Sequence, residues 1–127
     1  MNLIDFAMNI IATDTDVIEI LSNNESLISG KLVGISIYTK EHRLQIDLNI
    51  ELMYSKKMKN IKLQFIGVSE YSFSYSSDNY FYNIETYKFF KEENIFYISL
   101  DPSHTHNDES NIADNDYIKA ENIILLG

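Results

Sequence analysis

His104 and His106 are the residues of this sequence with the clearest capacity for metal chemistry. They stand two positions apart and are followed by Asp108 and Glu109, within a polar segment that runs from Ser103 to Asp116. Imidazole and carboxylate groups are both suitable ligands for divalent metals. Two histidines on a polar loop are more typical of solvated side chains, because no second pair of ligands stands at a recognisable spacing. We therefore predict no metal site and no cofactor.

Other residues with catalytic capacity lack partners in the sequence. Asp114 and Asp116 alternate as calcium ligands do, but the glycine and the distal glutamate of an EF-hand loop are missing. His42, in a predicted turn beside Arg43, would act as a general base only if a nucleophile and an orienting acid met it. The sequence contains no glycine-rich phosphate loop and no nucleophile elbow. We therefore predict that the chain is not an enzyme.

Tyrosine and phenylalanine are concentrated between Phe65 and Tyr97. The rings inside this stretch are Tyr71, Phe73, Tyr75, Tyr80, Phe81, Tyr82, Tyr87, Phe89, Phe90 and Phe96. Alternate residues of a strand point to opposite faces, so Phe81 facing inward would turn Tyr80 and Tyr82 outward. Exposed tyrosines among serine and asparagine are typical of protein-binding surfaces. Rings that only cover the rim of the core would give the same pattern.

The charge of the chain indicates which kind of partner such a surface would take. Nineteen acidic residues against ten basic ones give a formal net charge of −9, and no Lys or Arg occurs from Leu63 to Tyr87. A negative field repels phosphate backbones and attracts basic surfaces, so we predict a basic protein partner and no direct binding of nucleic acid. The predicted partner-binding residues are Glu70, Tyr71, Tyr75, Asp78, Tyr80, Tyr82 and Glu85, with the loop acids Asp108, Asp114 and Asp116 as a competing patch.

Length and composition favour one domain that covers residues 1–127. The chain is 45% hydrophobic and has no cysteine, which excludes disulfides and thiolate metal sites and suits a reducing compartment. Its first residues lack a cationic region followed by an apolar core, and no apolar run approaches the length that crosses a membrane. We expect a cytoplasmic protein that is neither secreted nor inserted in a membrane.

Hydrophobic periodicity predicts the elements that would position these residues. Helical spacing predicts an N-terminal helix in the first dozen residues, and Asp16 with Glu19 resembles a capping box before a short second helix, for which a strand is the alternative. The strand predictions are Leu32–Tyr38, Leu44–Leu52, Ile61–Phe65 with a bulge or bend at Gly67, Tyr71–Tyr75, Tyr80–Thr86, the central strand Ile95–Leu100 and Tyr117–Leu126. Tyr87–Glu93 is open to a short helical turn. The predicted fold class is α+β: an antiparallel meander of six or seven strands, as a sandwich or half-barrel, with one or two N-terminal helices.

Three segments carry a resemblance to a known group of proteins: Ile66-Gly-Val-Ser-Glu-Tyr-Ser-Phe73, Phe96-Tyr-Ile-Ser-Leu-Asp-Pro102 and Asp114-Asn-Asp-Tyr-Ile-Lys-Ala120. Together they resemble small bacterial domains, some of which are immunity proteins of polymorphic or contact-dependent toxin systems. The resemblance implies a stoichiometric toxin inhibitor, in which an acidic, rigid surface docks on a basic toxin domain. It covers roughly the C-terminal half and implies no individual functional residue.

Two other classes of function remain open from the sequence. In a small-molecule or lipid-binding domain, the aromatic residues would line a cavity instead of a binding surface. In an enzyme, the loop with His104 and His106 would hold the reacting groups, which a bound metal or a strongly shifted pKa would reveal.

Overall fold

The computed structural model describes residues 8–55, 57–77, 83–103 and 109–127. Within these ranges the chain forms seven strands, one short α-helix and a π-helical turn, and every strand pair is antiparallel. The elements are β1 (Ile10–Thr13), α1 (Thr15–Glu19), the π-helical turn (Ile20–Asn24), β2 (Lys31–Lys40), β3 (Arg43–Glu51), β4 (Asn60–Ser72), β5 (Lys88–Glu92), β6 (Ile95–Asp101) and β7 (Asn115–Leu126). The predicted β-rich α+β class is confirmed.

The sheet consists of two three-stranded meanders joined at their long strands. Its order is β2-β3-β4-β7-β6-β5, so β2 to β4 form one meander, β5 to β7 form the other, and β4 pairs with β7. The first half of β7 pairs with β6, as in Ile118↔Ile98, and the second half pairs with β1, as in Ile124↔Thr13. The single meander that was predicted is therefore divided, because the chain crosses from the middle of the sheet to its edge before β5.

The helix predictions are confirmed only in part. The short second helix is present as α1, but Asp16 lies in its first turn and makes no cap, while Asp14 precedes the helix and accepts a hydrogen bond from the Ile123 N–H at 3.0 Å. The predicted N-terminal helix falls partly on residues 1–7, which lie outside the described residues. Its last positions, Ile10 and Ile11, belong to β1. β6 pairs only with the first half of β7, so the second half of that edge is free to pair with β1.

The segment around Phe89 shows a second correction. Tyr87–Glu93 was open to a helical turn, but Lys88–Glu92 is strand β5, in which Phe89 pairs with Ile98. Burial of Phe89 on the sheet outweighs the local pattern. The strand predicted from Tyr80 to Thr86 starts outside the described residues. From 83 to 86 the structure contains only the single bridge between Asn83 and Lys31.

One face of the sheet carries the core. Ile46 on β3, Phe65 on β4 and Ile123 on β7 are direct cross-strand neighbours and are fully buried. Their contacts exclude water from the inner face and supply most of the drive to fold. The helix α1 packs against β1, β5 and β7. Among the residues described, no helix combines the length and the apolar character needed to cross a bilayer.

The sheet curls so that its two edges approach each other. Ile84, just before β5, donates its N–H to the Gly30 carbonyl at 2.9 Å and accepts the Ser29 N–H at 2.7 Å, next to the start of β2. The side chain of Ile84 is fully buried. The residues just before β5 therefore close over the core at this point.

A change of pleat divides the long strands β4 and β7. On β7 the buried positions are Ile118 and Ala120 before the change and Ile123 and Leu125 after it, so the alternation slips by one residue. Gly67 lies on the paired strand at this level with a φ of 70°, and the ladder shifts between Val68 and Glu70. A bend predicted at Gly67 is thus present. Beyond it, Glu70 and Lys119 are paired neighbours that point outward.

Candidate functional site

Three rings cross the outer face of the second meander as an aromatic ladder, formed by Phe90 on β5, Tyr97 on β6 and Tyr117 on β7. The ring centroids of Phe90 and Tyr97 are 5.1 Å apart, and those of Tyr97 and Tyr117 are 5.9 Å apart with an interplanar angle of 20°. Phe90 pairs directly with Tyr97, whereas Tyr117 is diagonal to it because Tyr97 pairs with Lys119. Such ring pairs stabilise a sheet beyond their buried area.

The aromatic ladder ends at a carboxylate on β4. The Tyr117 hydroxyl donates a hydrogen bond to Glu70 Oε2, and Lys119 Nζ lies 3.6 Å from the same oxygen. The hydrogen bond from Tyr117, followed by the charge of Lys119, lowers the pKa of the Glu70 carboxyl, and the same hydrogen bond raises the pKa of Tyr117. Glu70 is therefore an ionised acceptor at neutral pH. Its side chain is 51% exposed and that of Lys119 is 35% exposed.

Two adjoining depressions lie over the aromatic ladder, and we call them together the groove. Their volumes are about 220 Å³ and about 280 Å³, and both are lined by Tyr97, Ser110 and Lys119. Among the described residues, the first depression is also lined by Glu92, Glu93 and Ile95, and the second by Glu70, Asn111, Ile112 and Tyr117. The groove thus has an aromatic floor and a carboxylate near each end.

A buried ion pair beneath the groove fixes one of its walls. Lys88 Nζ lies 2.9 Å from Asp114 Oδ1, and both side chains are fully buried. Asp114 also accepts hydrogen bonds from the Tyr97 hydroxyl at 2.7 Å, the Ser103 N–H at 2.8 Å and the Asn111 N–H at 2.9 Å. One carboxylate therefore ties both ends of the segment between Ser103 and Asn111 to the sheet. A buried charge is stable only with such a complete set of partners.

The protonation states of this buried cluster indicate a structural role. Burial raises the pKa of Asp114, but the hydrogen bonds from Lys88, Tyr97 and the two backbone N–H groups outweigh it and lower the pKa to about 2. Burial, followed by the hydrogen bond to Asp114, raises the pKa of Tyr97 well above its ordinary value. A general base works best with a pKa near the working pH, so neither group is suited to proton transfer at neutral pH.

A second polar cluster lies on the outer face of the first meander. The Tyr38 hydroxyl donates to Asp47 Oδ2 at 2.7 Å, and the Gln45 amide donates to the Tyr38 oxygen and to Asp47 Oδ1. Burial, followed by the hydrogen bond to Asp47, raises the pKa of Tyr38. Gln45 and Asp47 are buried. The described part of the chain leaves no buried polar side-chain atom without a partner and gathers no group of three potential metal ligands.

The structure places some predicted partner-binding residues on the surface. Tyr71 is 41% exposed and Tyr75 is 69% exposed, and Glu70 and Glu85 are exposed as well. Tyr71 contacts Phe73, with ring centroids 5.9 Å apart. Tyr71 and Tyr75 are thus exposed tyrosines at and just beyond the end of β4. Glu70 and Tyr71 leave opposite faces of that strand, because Glu70 pairs with the outward-facing Lys119 and Tyr71 pairs with the fully buried Ile118. Four predicted contacts, Asp78, Tyr80, Tyr82 and Asp108, lie outside the described residues, as do His104 and His106.

The interpretation of Asp114 and Asp116 as surface contacts is wrong. Each residue is only 3% exposed. Asp114 is neutralised by Lys88, and Asp116 accepts the Ser74 N–H at 3.0 Å, while burial raises the pKa of its carboxyl. Both carboxylates are occupied in fixing neighbouring backbone, so neither is free to meet a partner.

Sequence reasoning missed Tyr97, Tyr117 and Lys119 as parts of the site. Tyr97 lies in a nearly continuous apolar run, where alternation gives little guidance on which ring faces outward. A signal was present in Tyr117-Ile-Lys-Ala120, which alternates polar and apolar residues. The pleat of one strand places Tyr117 and Lys119 on the same face, opposite Ile118.

The chain matches no protein-family model, no curated protein and no solved structure. Its function is therefore inferred from the exposed tyrosines at the end of β4, the groove on the outer face and the charge of the chain.

Proposed function

We propose that this chain is a non-catalytic protein-binding domain that neutralises a basic toxin domain by stoichiometric binding, as an immunity protein does. The observation that carries the proposal is the pair of exposed tyrosines, Tyr71 and Tyr75, at and just beyond the end of β4. The exposed carboxylate of Glu70 leaves the other face of the same strand end. Tyrosine is enriched at the energetic centres of protein interfaces.

The tyrosines are presented from a fixed backbone. β4 is paired with β7 as far as Ser72, and the next segment is held by the hydrogen bond from the Ser74 N–H to Asp116. A surface that is ordered before binding loses less conformational entropy when a partner docks. A tyrosine side chain also has few rotatable bonds, so its immobilisation costs little.

Charge is distributed along β4 in a way that orients a basic partner. Lys57, Lys59 and Lys62 lie at or just before the start of the strand, whereas Glu70 lies near its end and no Lys or Arg follows until Lys88. The net charge of the whole chain is −9. A basic protein would be drawn to the end of β4 that carries Tyr71, and complementary charge raises association rates.

The resemblance to immunity proteins concerns the same part of the molecule. Its three segments, 66–73, 96–102 and 114–120, lie on or next to β4, β6 and β7, which are neighbours in the order β4-β7-β6. These strands carry the groove and the exposed tyrosines. The choice of a toxin domain as the basic partner rests on that resemblance alone.

The alternative function, binding of a small molecule or lipid, receives less support from the described residues. Pockets for such ligands typically measure about 300 to 1,000 Å³. The two adjoining depressions of the groove measure about 220 Å³ and about 280 Å³, so their size does not exclude a ligand, but they are open and lined by more polar than apolar surface. Phe65, Phe89 and Phe96 are buried among core side chains.

Site-specific photo-cross-linking tests the proposal. Tyr71 and Tyr75 are replaced, one at a time, by a benzophenone amino acid, and the chain is irradiated in its native host. Tyr54, a 76% exposed tyrosine in the loop before β4, is the matched control at the opposite end of that strand. We expect one dominant basic protein to be captured from positions 71 and 75 and not from position 54. Equal capture at all three positions, or none, would contradict the proposal.

A further inference from the structure

We propose that the groove receives an arginine side chain of the partner, whose guanidinium takes the place of Lys119 Nζ at Glu70. This inference rests on the proposed function for the origin of the arginine, but its chemistry is a property of the groove alone. It commits the groove to one occupant, a guanidinium group, because the carboxylates and the ring that surround Lys119 are complementary to that cation.

Lys119 already marks a favourable position for a cation. Its Nζ lies 3.6 Å from Glu70 Oε2 and 5.9 Å from the centroid of the Tyr117 ring. A carboxylate and an aromatic face together attract a cation more than either alone. Charge-assisted hydrogen bonds are usually about 2.7 to 2.9 Å long, so the contact between Lys119 and Glu70 is loose. Exposed pairs of this kind contribute little to stability and exchange readily with another cation.

Arginine fits this position better than lysine does. The Glu70 Oε2 atom accepts the Tyr117 hydroxyl, which orients the carboxylate on the outer face of the sheet. A guanidinium is planar, so it can donate to a carboxylate and stack on an aromatic ring at the same time. An ammonium is a compact, strongly hydrated charge without a flat face.

The other end of the groove also carries carboxylates that would attract a cation. Glu92 and Glu93 line the depression beyond Lys119, and both are exposed. A cationic side chain therefore meets a carboxylate whether it enters from the side of Glu70 or from the side of Glu93. The buried Asp114 fixes the wall that contains Asn111, so the groove is formed before a partner arrives.

A titration with a small probe tests the inference without a partner protein. N-acetyl-arginine amide is added to the ¹⁵N-labelled chain, and amide chemical shifts are recorded by NMR. We expect saturable shifts at Ser110, Asn111, Tyr117 and Lys119, with a dissociation constant on the order of millimolar for so small a ligand. N-acetyl-lysine amide should bind more weakly, and the neutral isostere N-acetyl-citrulline amide should cause no saturable shifts.

Three variants separate the groove from a general effect of charge. Lys119→Met removes the competing cation and should tighten arginine binding severalfold. Glu70→Gln keeps an acceptor for Tyr117 but removes the charge, and it should abolish saturation. Lys91→Met is the matched control, because Lys91 lies over the Phe96 ring at 5.3 Å and does not line the groove. It removes the same charge and should leave the dissociation constant almost unchanged.

The results also distinguish this inference from the proposed function. Scattered shifts without saturation, equal shifts with citrulline, or weaker binding by Lys119→Met would overturn the arginine site. If cross-linking at Tyr71 captures a basic protein while the arginine probe fails, the protein-binding function stands and the groove is not its anchor. If the probe binds and cross-linking captures no protein, the groove binds guanidinium and the proposed function fails.

Discussion

Asp114 shows how far a single residue can differ from the role its sequence suggests. In the sequence it is one of nineteen acids and lies in a polar, acidic segment. In the structure it is buried and is paired with Lys88, which precedes it by 26 residues. No local pattern reveals a contact at that distance along the chain. Exposed acids and tyrosines such as Glu70 and Tyr71 were predictable, because their alternation with serine continues a clear strand pattern.

Replacement of Asp114 by Asn should destabilise the fold strongly. The variant keeps the shape of the side chain but leaves the buried ammonium of Lys88 without a counter-charge. Loss of one partner of a buried pair typically costs about 3 to 5 kcal/mol. Urea unfolding at neutral pH measures the change in the free energy of unfolding. Asp101→Asn removes the same charge from an exposed position and is the control, with an expected change of less than about 0.5 kcal/mol.

Because of the ion pair between Lys88 and Asp114, the difference in the free energy of unfolding between the wild type and Asp114→Asn should depend on pH. The folded state lowers the pKa of Asp114 from 3.8 to about 2, which corresponds to roughly 2 kcal/mol of stabilisation. Because the folded pKa is the lower one, this stabilisation is complete above about pH 4 and is lost as the pH falls through about 2. The difference in the free energy of unfolding between the two proteins should therefore shrink in acid by roughly 2 kcal/mol. A difference in the free energy of unfolding that stays constant from pH 6 to pH 2 would contradict the lowered pKa of Asp114.

At the scale of elements, a strand could be predicted from the sequence where apolar and polar residues alternate strictly over many positions. β3 alternates over many residues, and the structure confirms this strand and its hairpin with β2. The segments predicted at Ile61–Phe65 and Tyr71–Tyr75 are joined through Gly67 in the single strand β4, which ends at Ser72. β1 and β5 have only 4 and 5 residues, and their sequences are compatible with helix. Their state is decided by pairing with β7 and β6, which are distant along the chain. Short segments of this kind cannot be assigned from local sequence.

Gly67 provides a test of how the outer face of the sheet is built. The φ of 70° at Gly67 disfavours residues with a side chain, and an added Cβ would displace Arg43 Nη2 and lie 3.0 Å from Glu121 Cδ. Gly67→Ala should therefore destabilise the protein by about 1 to 3 kcal/mol, measured by urea unfolding. Gly34→Ala, on β2, is the matched control because its Cβ would meet only Asn49 Nδ2 at 3.6 Å. Equal effects of the two substitutions would contradict a special role of Gly67.

At the scale of the whole molecule, the arrangement of the two meanders brings the proposed surface together. Pairing of β4 with β7 joins Glu70 to Tyr117 and Lys119, although these residues are almost fifty positions apart. The sequence predicted the antiparallel sheet but not this long-range pairing, because strand order depends on contacts that no single segment contains. The exposed tyrosines could be predicted from the sequence, whereas the groove on the outer face could not.

A calorimetric titration of the protein captured by cross-linking tests the central claim most directly. We expect one-to-one binding with a dissociation constant on the order of nanomolar, which weakens as salt rises from about 50 to about 150 mM. The double variant Tyr71→Ala with Tyr75→Ala should bind at least about 100-fold more weakly, and Tyr54→Ala should bind as the wild type does. Equal loss from Tyr54→Ala, or full affinity in the double variant, would contradict the claim that this protein acts through the exposed tyrosines at the end of β4.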